Sequence, residues 1–288
     1  MTKNVCGSNH ELPSHVCTND DQSCGMASIE SNHESTICKS SKDIEEPYQI
    51  LMCSDTRMID SIYVVIASLI ANCKRPLRLW IMQSDFPEED KKELHAFVSK
   101  RNMELHIIDV DEIIFQKIPY NHNWSVAAFY YLVLHHYLPQ SVKKVLYLDV
   151  DVIVRKDISP LYDIDLTGYM VCACEEHIQR SPYSIACPAK EILFNSGVIL
   201  INVEEFRIRN IDIDSIMALC NQYGVDATED QIAINAIATG SCKLVPSICF
   251  NYRVRMDTHY RGVLINKREY LESFSWAFDE SMIGQTPF

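Results

Sequence analysis

The sequence predicts an α/β fold built on a mostly parallel central sheet. The main observation is an alternation of strand-like apolar runs with helix-patterned stretches that becomes regular at Pro47. Length and composition agree with it. The chain has 288 residues, enough for one large domain or two modest ones, and 47% apolar with 23% charged residues is the make-up of an ordinary globular protein.

In order, Tyr48–Cys53 reads as a strand, and Ile59–Cys73 as a helix stopped before Pro76. Leu77–Met82 is a second strand. Pro87–Arg101 is a helix with proline in its first turn and acids after it. Glu104–Asp109 is a third strand, followed by a short helix near 111–117 and a longer one over about Ser125–Leu138. Lys144–Asp149 is a fourth strand, with Val152–Val154 continuing it. Further strands fall near Tyr169–Cys174 and Gly197–Asn202, and helices near Asp212–Tyr223 and Glu229–Thr239. Residues 1–46 stand apart: Cys6, Cys17, Cys24, Cys38, His10, His15 and His33 lie among polar residues with few large apolar ones. The cysteine spacings of 11, 7 and 14 lack the close pairs of a zinc knuckle, so a disordered leader is expected.

Several function classes are excluded. With 26 basic and 39 acidic side chains the net charge is −13, so a protein gripping a nucleic-acid backbone is not expected. No two of the 8 glycines are closer than 16 residues, so no glycine-rich loop can cradle a phosphate. The longest apolar stretch, Ile62 to Ala71, is about half of a membrane span. No secretory signal is evident, which predicts a cytoplasmic protein, peripheral at most to the inner membrane face, whose 12 cysteines stay reduced. Eight of these (Cys53, Cys73, Cys172, Cys174, Cys187, Cys220, Cys242, Cys249) lie within or beside apolar segments as small hydrophobes. His135 and His136 read as surface or satisfied histidines, and Trp124 as a core residue.

The chemistry concentrates at Lys144-Val-Leu-Tyr-Leu-Asp149-Val-Asp151. In an extended backbone residues two apart point the same way, so both carboxylates would converge. Two like charges buried together need a cation or a proton, and an oxygen-preferring ion, Mn²⁺ or Mg²⁺, meets that need while leaving sites for phosphate oxygens. The alternative is a strand ending at Asp149, with the pair capping a turn.

These residues resemble the D-x-D motif of GT-A glycosyltransferases. With Ser159-Pro-Leu-Tyr162 following, they resemble family 8, which contains glycogenin and bacterial lipopolysaccharide glucosyl- and galactosyltransferases. Three further segments agree in order. Cys53-Ser54-Asp55 matches the uridine-contacting loop. Phe194-Asn195-Ser196-Gly197-Val198 matches the sugar-contacting element. Asp230-Gln231 with Asn235 matches the D-Q-x-x-x-N helix start, although Thr228-Glu-Asp-Gln231 also fits a plain capping box. The resemblance spans about residues 48–252.

It implies retaining transfer of a hexose from UDP-glucose or UDP-galactose to a hydroxyl of a glycan or glycolipid acceptor, as in lipopolysaccharide or capsule synthesis. Asp149 and Asp151 would hold the metal, and Val150 and Arg57 would lie beside the donor. Asp230 would orient the sugar and Gln231 would lie near the reacting face. No side chain stands out as a covalent nucleophile, so front-face attack is expected. The sequence departs from the family in three places. Tyr131 falls where an arginine usually contacts the donor, and Arg57 replaces a usual asparagine. The C-terminal H-x-x-G-x-x-K-P-W segment is missing; His259-Tyr-Arg-Gly262 imitates its first half, and the ending Gly284–Phe288 resembles the stretch before it. A truncated chain, and a catalytically impaired UDP-binding module, are the corresponding alternatives.

Overall fold

The protein is described by a computed structural model over residues 46–101, 103–120, 125–176, 193–224 and 226–253. The leader before residue 46, Trp124, Cys187 and the stretch from residue 254 lie outside the described residues. Seven strands form one sheet: β1 (Tyr48–Cys53), β2 (Leu77–Gln83), β3 (Glu104–Asp109), β4 (Lys144–Leu148), β5 (Val171–Glu175), β6 (Phe194–Asn202) and β7 (Cys242–Val245). Their order is β3-β2-β1-β4-β6-β5-β7. All neighbours run parallel except β6, which is antiparallel to both β4 and β5. The expected α/β sheet is therefore found, with one reversed strand in it.

Strand residues alternate between two apolar clusters, one on each face. From β1, Ile50 and Met52 enter the layer containing Ile62, Val65 and Leu69 of helix α1 (Ile59–Asn72) and Leu94 and Val98 of α2 (Glu88–Ser99). Leu51 and Cys53 enter the opposite layer, formed by residues 126–138 with α6 (Ile213–Tyr223) and α7 (Asp230–Ile237). Each aliphatic side chain so buried contributes about 1.5–3 kcal/mol. Helix α6 shows how local sequence sets an element. Asp212 and Ser215 form a reciprocal capping box, and Gly224 ends the helix in the left-handed conformation at φ 66°.

The structure corrects several expectations. The stretch 125–138 is not one α-helix but a 3₁₀ segment, Val126–Val133, continued by α3 (Leu134–Tyr137). The element near 111–117 is also 3₁₀, Glu112–Phe115. Helix α7 starts one residue late for the capping box, with Glu229 rather than Thr228 at the cap and no side-chain cap bond. Short helices α4 (Ser159–Tyr162), α5 (Val203–Ile208) and α8 (Ser247–Phe250), together with β7, are elements the pattern did not reveal. His135 is buried, and burial pushes its imidazole down to about 4, so it stays neutral; His136 is exposed.

The correction that matters most concerns the paired aspartates. Strand β4 stops at Leu148, and Val150–Asp151 form a turn with no strand at Val152–Val154. Strand β6 still answers the next residue, the Asp149 N–H donating to Gly197 O, but the chain turns away at Val150 and makes no further pair with it. The two carboxylates therefore come together through a turn rather than along a strand face.

Candidate functional site

Three parallel-sheet features place the site. The carboxyl ends of β1 and β4 lie side by side, and because β6 runs backward its beginning meets the end of β4. The Asp149 N–H donates to the Gly197 carbonyl over 2.9 Å, closing that junction. Helix α7 then brings its first residues to the same place. It is fastened there by buried Asn235, whose amide oxygen accepts from Phe194 N–H at 3.0 Å and whose amide nitrogen donates to Phe194 O at 2.8 Å. Asn235 and Gln231 are one helical turn apart and share a face, so fixing one aims the other.

Asp149 is half-buried and Asp151 exposed. Burial, then the charges of Asp230 and Asp151, push the Asp149 carboxyl up to about 7, against a hydrogen bond from the Tyr147 hydroxyl. That hydroxyl donates to Asp149 Oδ1 at 2.7 Å. Burial also raises Asp230, opposed by hydrogen bonds from Tyr131 and Ser196. No basic side chain is among the groups that shift either carboxyl. The Asp149 carboxyl thus feels the charges of both Asp230 and Asp151, and a hard divalent ion with oxygen preference held by Asp149 and Asp151 would relieve that repulsion. Among the described residues no group of three or more His, Cys, Asp or Glu is placed to hold a metal. The acidic pair is what the described chain offers.

A polar chain runs from Asn195–Gly197 to the edge of the site. Gln231 Oε1 accepts from Ser196 N–H at 3.2 Å and from Asn195 Nδ2 at 3.0 Å. A backbone N–H can only donate, so the end of this amide that meets Ser196 and Asn195 is its oxygen, and the NH₂ is the other end. Asn195 Oδ1 in turn accepts from Gly197 N–H at 3.0 Å and from Asn251 Nδ2 at 2.7 Å. Its Nδ2 also reaches Glu176 Oε2 at 3.3 Å. Glu176, with a 3% exposed side chain, is held by both guanidinium nitrogens of Arg253 at 2.7 and 2.8 Å. Sequence reasoning misses Glu176, Asn251 and Arg253, because nothing local marks a residue whose partners lie far along the chain; Tyr147 lies inside the motif, two residues from its partner Asp149, but reads there as strand filling.

At the end of β1, Cys53 and Ser54 are buried, the Ser54 hydroxyl donating to Asp55 O at 2.9 Å. Asp55 Oδ1 caps the following turn by accepting from Arg57 N–H at 2.9 Å, and Oδ2 accepts from Arg57 Nε at 3.0 Å and its terminal nitrogen at 2.7 Å. Against the upward push of burial, hydrogen bonds from Arg57 and Ser125 hold this carboxyl below its usual range. Hydrogen bonds and charge link Asp149, Asn195, Ser196, Gly197, Asp230 and Gln231 to one another, with Val150 and Asp151 in the turn that follows Asp149, whereas Asp55 and Arg57 pair with each other at the end of β1.

Residues 49–267 match the model of the family described as glycosyl transferase family 8. General stress protein A of Bacillus subtilis (strain 168) is 26% identical over 202 residues, 67% of this chain and 70% of the relative. Lipopolysaccharide 1,3-galactosyltransferase of Salmonella typhimurium (strain LT2) is 24% identical over 212 residues, with 70% of this chain covering 63% of that protein. The crystal structure of galactosyltransferase LgtC in complex with donor and acceptor sugar analogs aligns with a TM-score of 0.63 at 26% identity, over 70% of this chain and 74% of that one.

Proposed function

The chain belongs to glycosyl transferase family 8, and on that premise we propose that it transfers glucose or galactose from a UDP-sugar to an acceptor hydroxyl with retention at the anomeric carbon. A bacterial surface glycan such as lipopolysaccharide is the proposed acceptor, by similarity to the Salmonella galactosyltransferase. The GT-A α/β fold agrees with this class of reaction. No helix among the described residues is long and apolar enough to cross a membrane.

One observation carries the proposal. Segments far apart in sequence, at Asp149, Asn195–Gly197 and Asp230–Gln231, meet where β4 ends and β6 begins, next to the strand β1 whose end leads into Asp55. In this reading Asp55, with the backbone of Cys53 and Ser54, receives the uracil ring. Asp230 accepts hydrogen bonds from hexose hydroxyls, and Asn195 and Ser196 border the sugar. Gln231 turns its NH₂ group toward the reacting face, where it donates rather than attacks; its oxygen is already spent on Ser196 and Asn195. Asp149 and Asp151 would hold Mn²⁺ or Mg²⁺, which supplies Lewis-acid stabilisation of the departing diphosphate when bound. Gly197 gives the Asp149 carboxylate the room to do so.

The test is turnover of UDP-glucose and UDP-galactose with and without Mn²⁺. Metal-dependent turnover abolished by Asp151→Ala is the expected result; metal-independent turnover, or none, overturns it. A second reading, a UDP-binding module without catalysis, is favoured by one finding: among the described residues no third acidic, histidine or cysteine side chain is placed with the acidic pair to hold a metal. Calorimetry with UDP and Mn²⁺ separates the two: binding without turnover supports the module.

A further inference from the structure

The geometry points to Tyr131 as a positioning residue that sets the sugar-binding carboxylate of Asp230, an inference that rests on the donor-site reading above. Tyr131 is fully buried in the 3₁₀ segment, and its hydroxyl donates to Asp230 Oδ2 over 2.9 Å. Its ring lies 4.3 Å from that of Tyr147, tilted by 30°. Tyr147, equally buried, donates its own hydroxyl to Asp149 Oδ1 at 2.7 Å. Two packed rings thus hold one carboxylate each, one on the metal side of the site and one on the sugar side.

Asp149 and Asp230 repel one another, and each raises the cost of ionising its surroundings. Left to themselves, two such side chains would rotate apart or take up a proton. A tyrosine ring has only two side-chain torsions, and packing fixes both here, so the hydroxyl delivers its hydrogen bond from a set point. The donor is also neutral. A cation at this position would neutralise Asp230, whereas a tyrosine orients it and leaves its negative charge available to hexose hydroxyls. The Tyr131 hydroxyl therefore acts on the sugar half of the donor through Asp230, whereas toward the uridine half Tyr131 offers only its backbone, which meets Cys53 and is unchanged by loss of the hydroxyl.

That division gives a signature a merely structural role would not produce. We would measure kcat, and the affinities of UDP and of UDP-glucose or UDP-galactose, for the full chain with Mn²⁺. Tyr131→Phe removes the hydroxyl and keeps the stacked ring. It is expected to lower kcat roughly 10- to 100-fold, as loss of a hydrogen bond to a charged group does, and to weaken UDP-hexose binding while leaving UDP affinity within about twofold. Tyr130→Phe loses a neighbouring tyrosine hydroxyl that bonds Ser84 and Glu112 instead, and should leave all three within about twofold. Tyr131→Phe added to Asp230→Asn should lower kcat no further than Asp230→Asn alone. That comparison holds even if the single variant fails to fold, because the double variant leaves no unpaired buried carboxylate. Unchanged kcat and UDP-hexose affinity, an equal loss for UDP and UDP-hexose, or an additive double variant overturns the role of Tyr131. An unmodified chain that neither binds UDP nor turns over a donor overturns the donor reading itself, and this inference with it.

Discussion

A methyl group on Gly197 would stand 2.9 Å from Asp149 Oδ2 and 3.1 Å from Asn195 Oδ1. The backbones of the same two residues, Gly197 and Asp149, are joined by a hydrogen bond of 2.9 Å, so neither can move aside. The bare α-carbon is what lets a half-buried carboxylate turn into the site beside β6.

Gly197→Ala should therefore damage chemistry more than folding. The added methyl displaces the Asp149 carboxylate and loosens Asn195. A stability cost of about 1–3 kcal/mol is expected for overpacking, seen as a lower melting temperature. Mn²⁺ affinity and transfer rate should each fall at least about tenfold, since a displacement near 1 Å at a reacting centre costs that much or more. Calorimetry and a turnover assay on the same preparation separate the two effects.

Asp149 should impose a pH dependence on the metal-free chain. Its carboxyl is pushed up to about 7, from 3.8 for the free side chain. Below the free value both the folded and unfolded chains carry the proton, and Asp149 has no effect. Between the two values the folded chain keeps the proton that the unfolded chain has lost. Stability then falls with rising pH by at most about 1.4 kcal/mol per unit, and the loss is complete above about 7. Carboxylates held low, such as Asp55 and Asp212, act in the opposite sense and at lower pH. The comparison of melting temperature with Asp149→Asn across that window isolates the effect; parallel curves would refute it. Mn²⁺ competes with the same proton, so its affinity should rise with pH up to about 7.

Releasing Asp55 should strengthen donor binding. Arg57 has a 65% exposed side chain against 12% for Asp55, and an ion pair that open to water contributes little to stability. Arg57→Ala should leave the melting temperature within about 2 °C and raise UDP affinity several-fold, because the uracil no longer competes with the guanidinium. Weaker UDP binding would instead mean that Arg57 itself contacts the donor.

How much of this was legible in the sequence depends on the range of each interaction. The strands β1 to β4 and helices α1, α2 and α6 follow from local apolar periodicity and caps, so their bounds agree to within two residues or so. The stretch 126–133 is apolar nearly all round and is wound as 3₁₀ by what packs on it, which periodicity does not encode. The end of β4 was misplaced because its ladder to β6, about fifty positions later, stops at the Asp149–Gly197 bond, and local pattern does not encode where a distant partner stops. Asp149, Asn195, Asp230 and Gln231 were legible as a set through the family resemblance. Their partners were not: Tyr131 was noticed only as a departure from it, and Glu176 and Arg253 join across 77 positions.

Glu176 N–H donates to Leu193 O over 2.7 Å, immediately below the Glu176–Asn195 contact. The end of β5 and the start of β6 are therefore locked to each other by their own backbones, and a proline at position 176, which has no N–H to donate, would unseat Asn195 from beside the carboxylates.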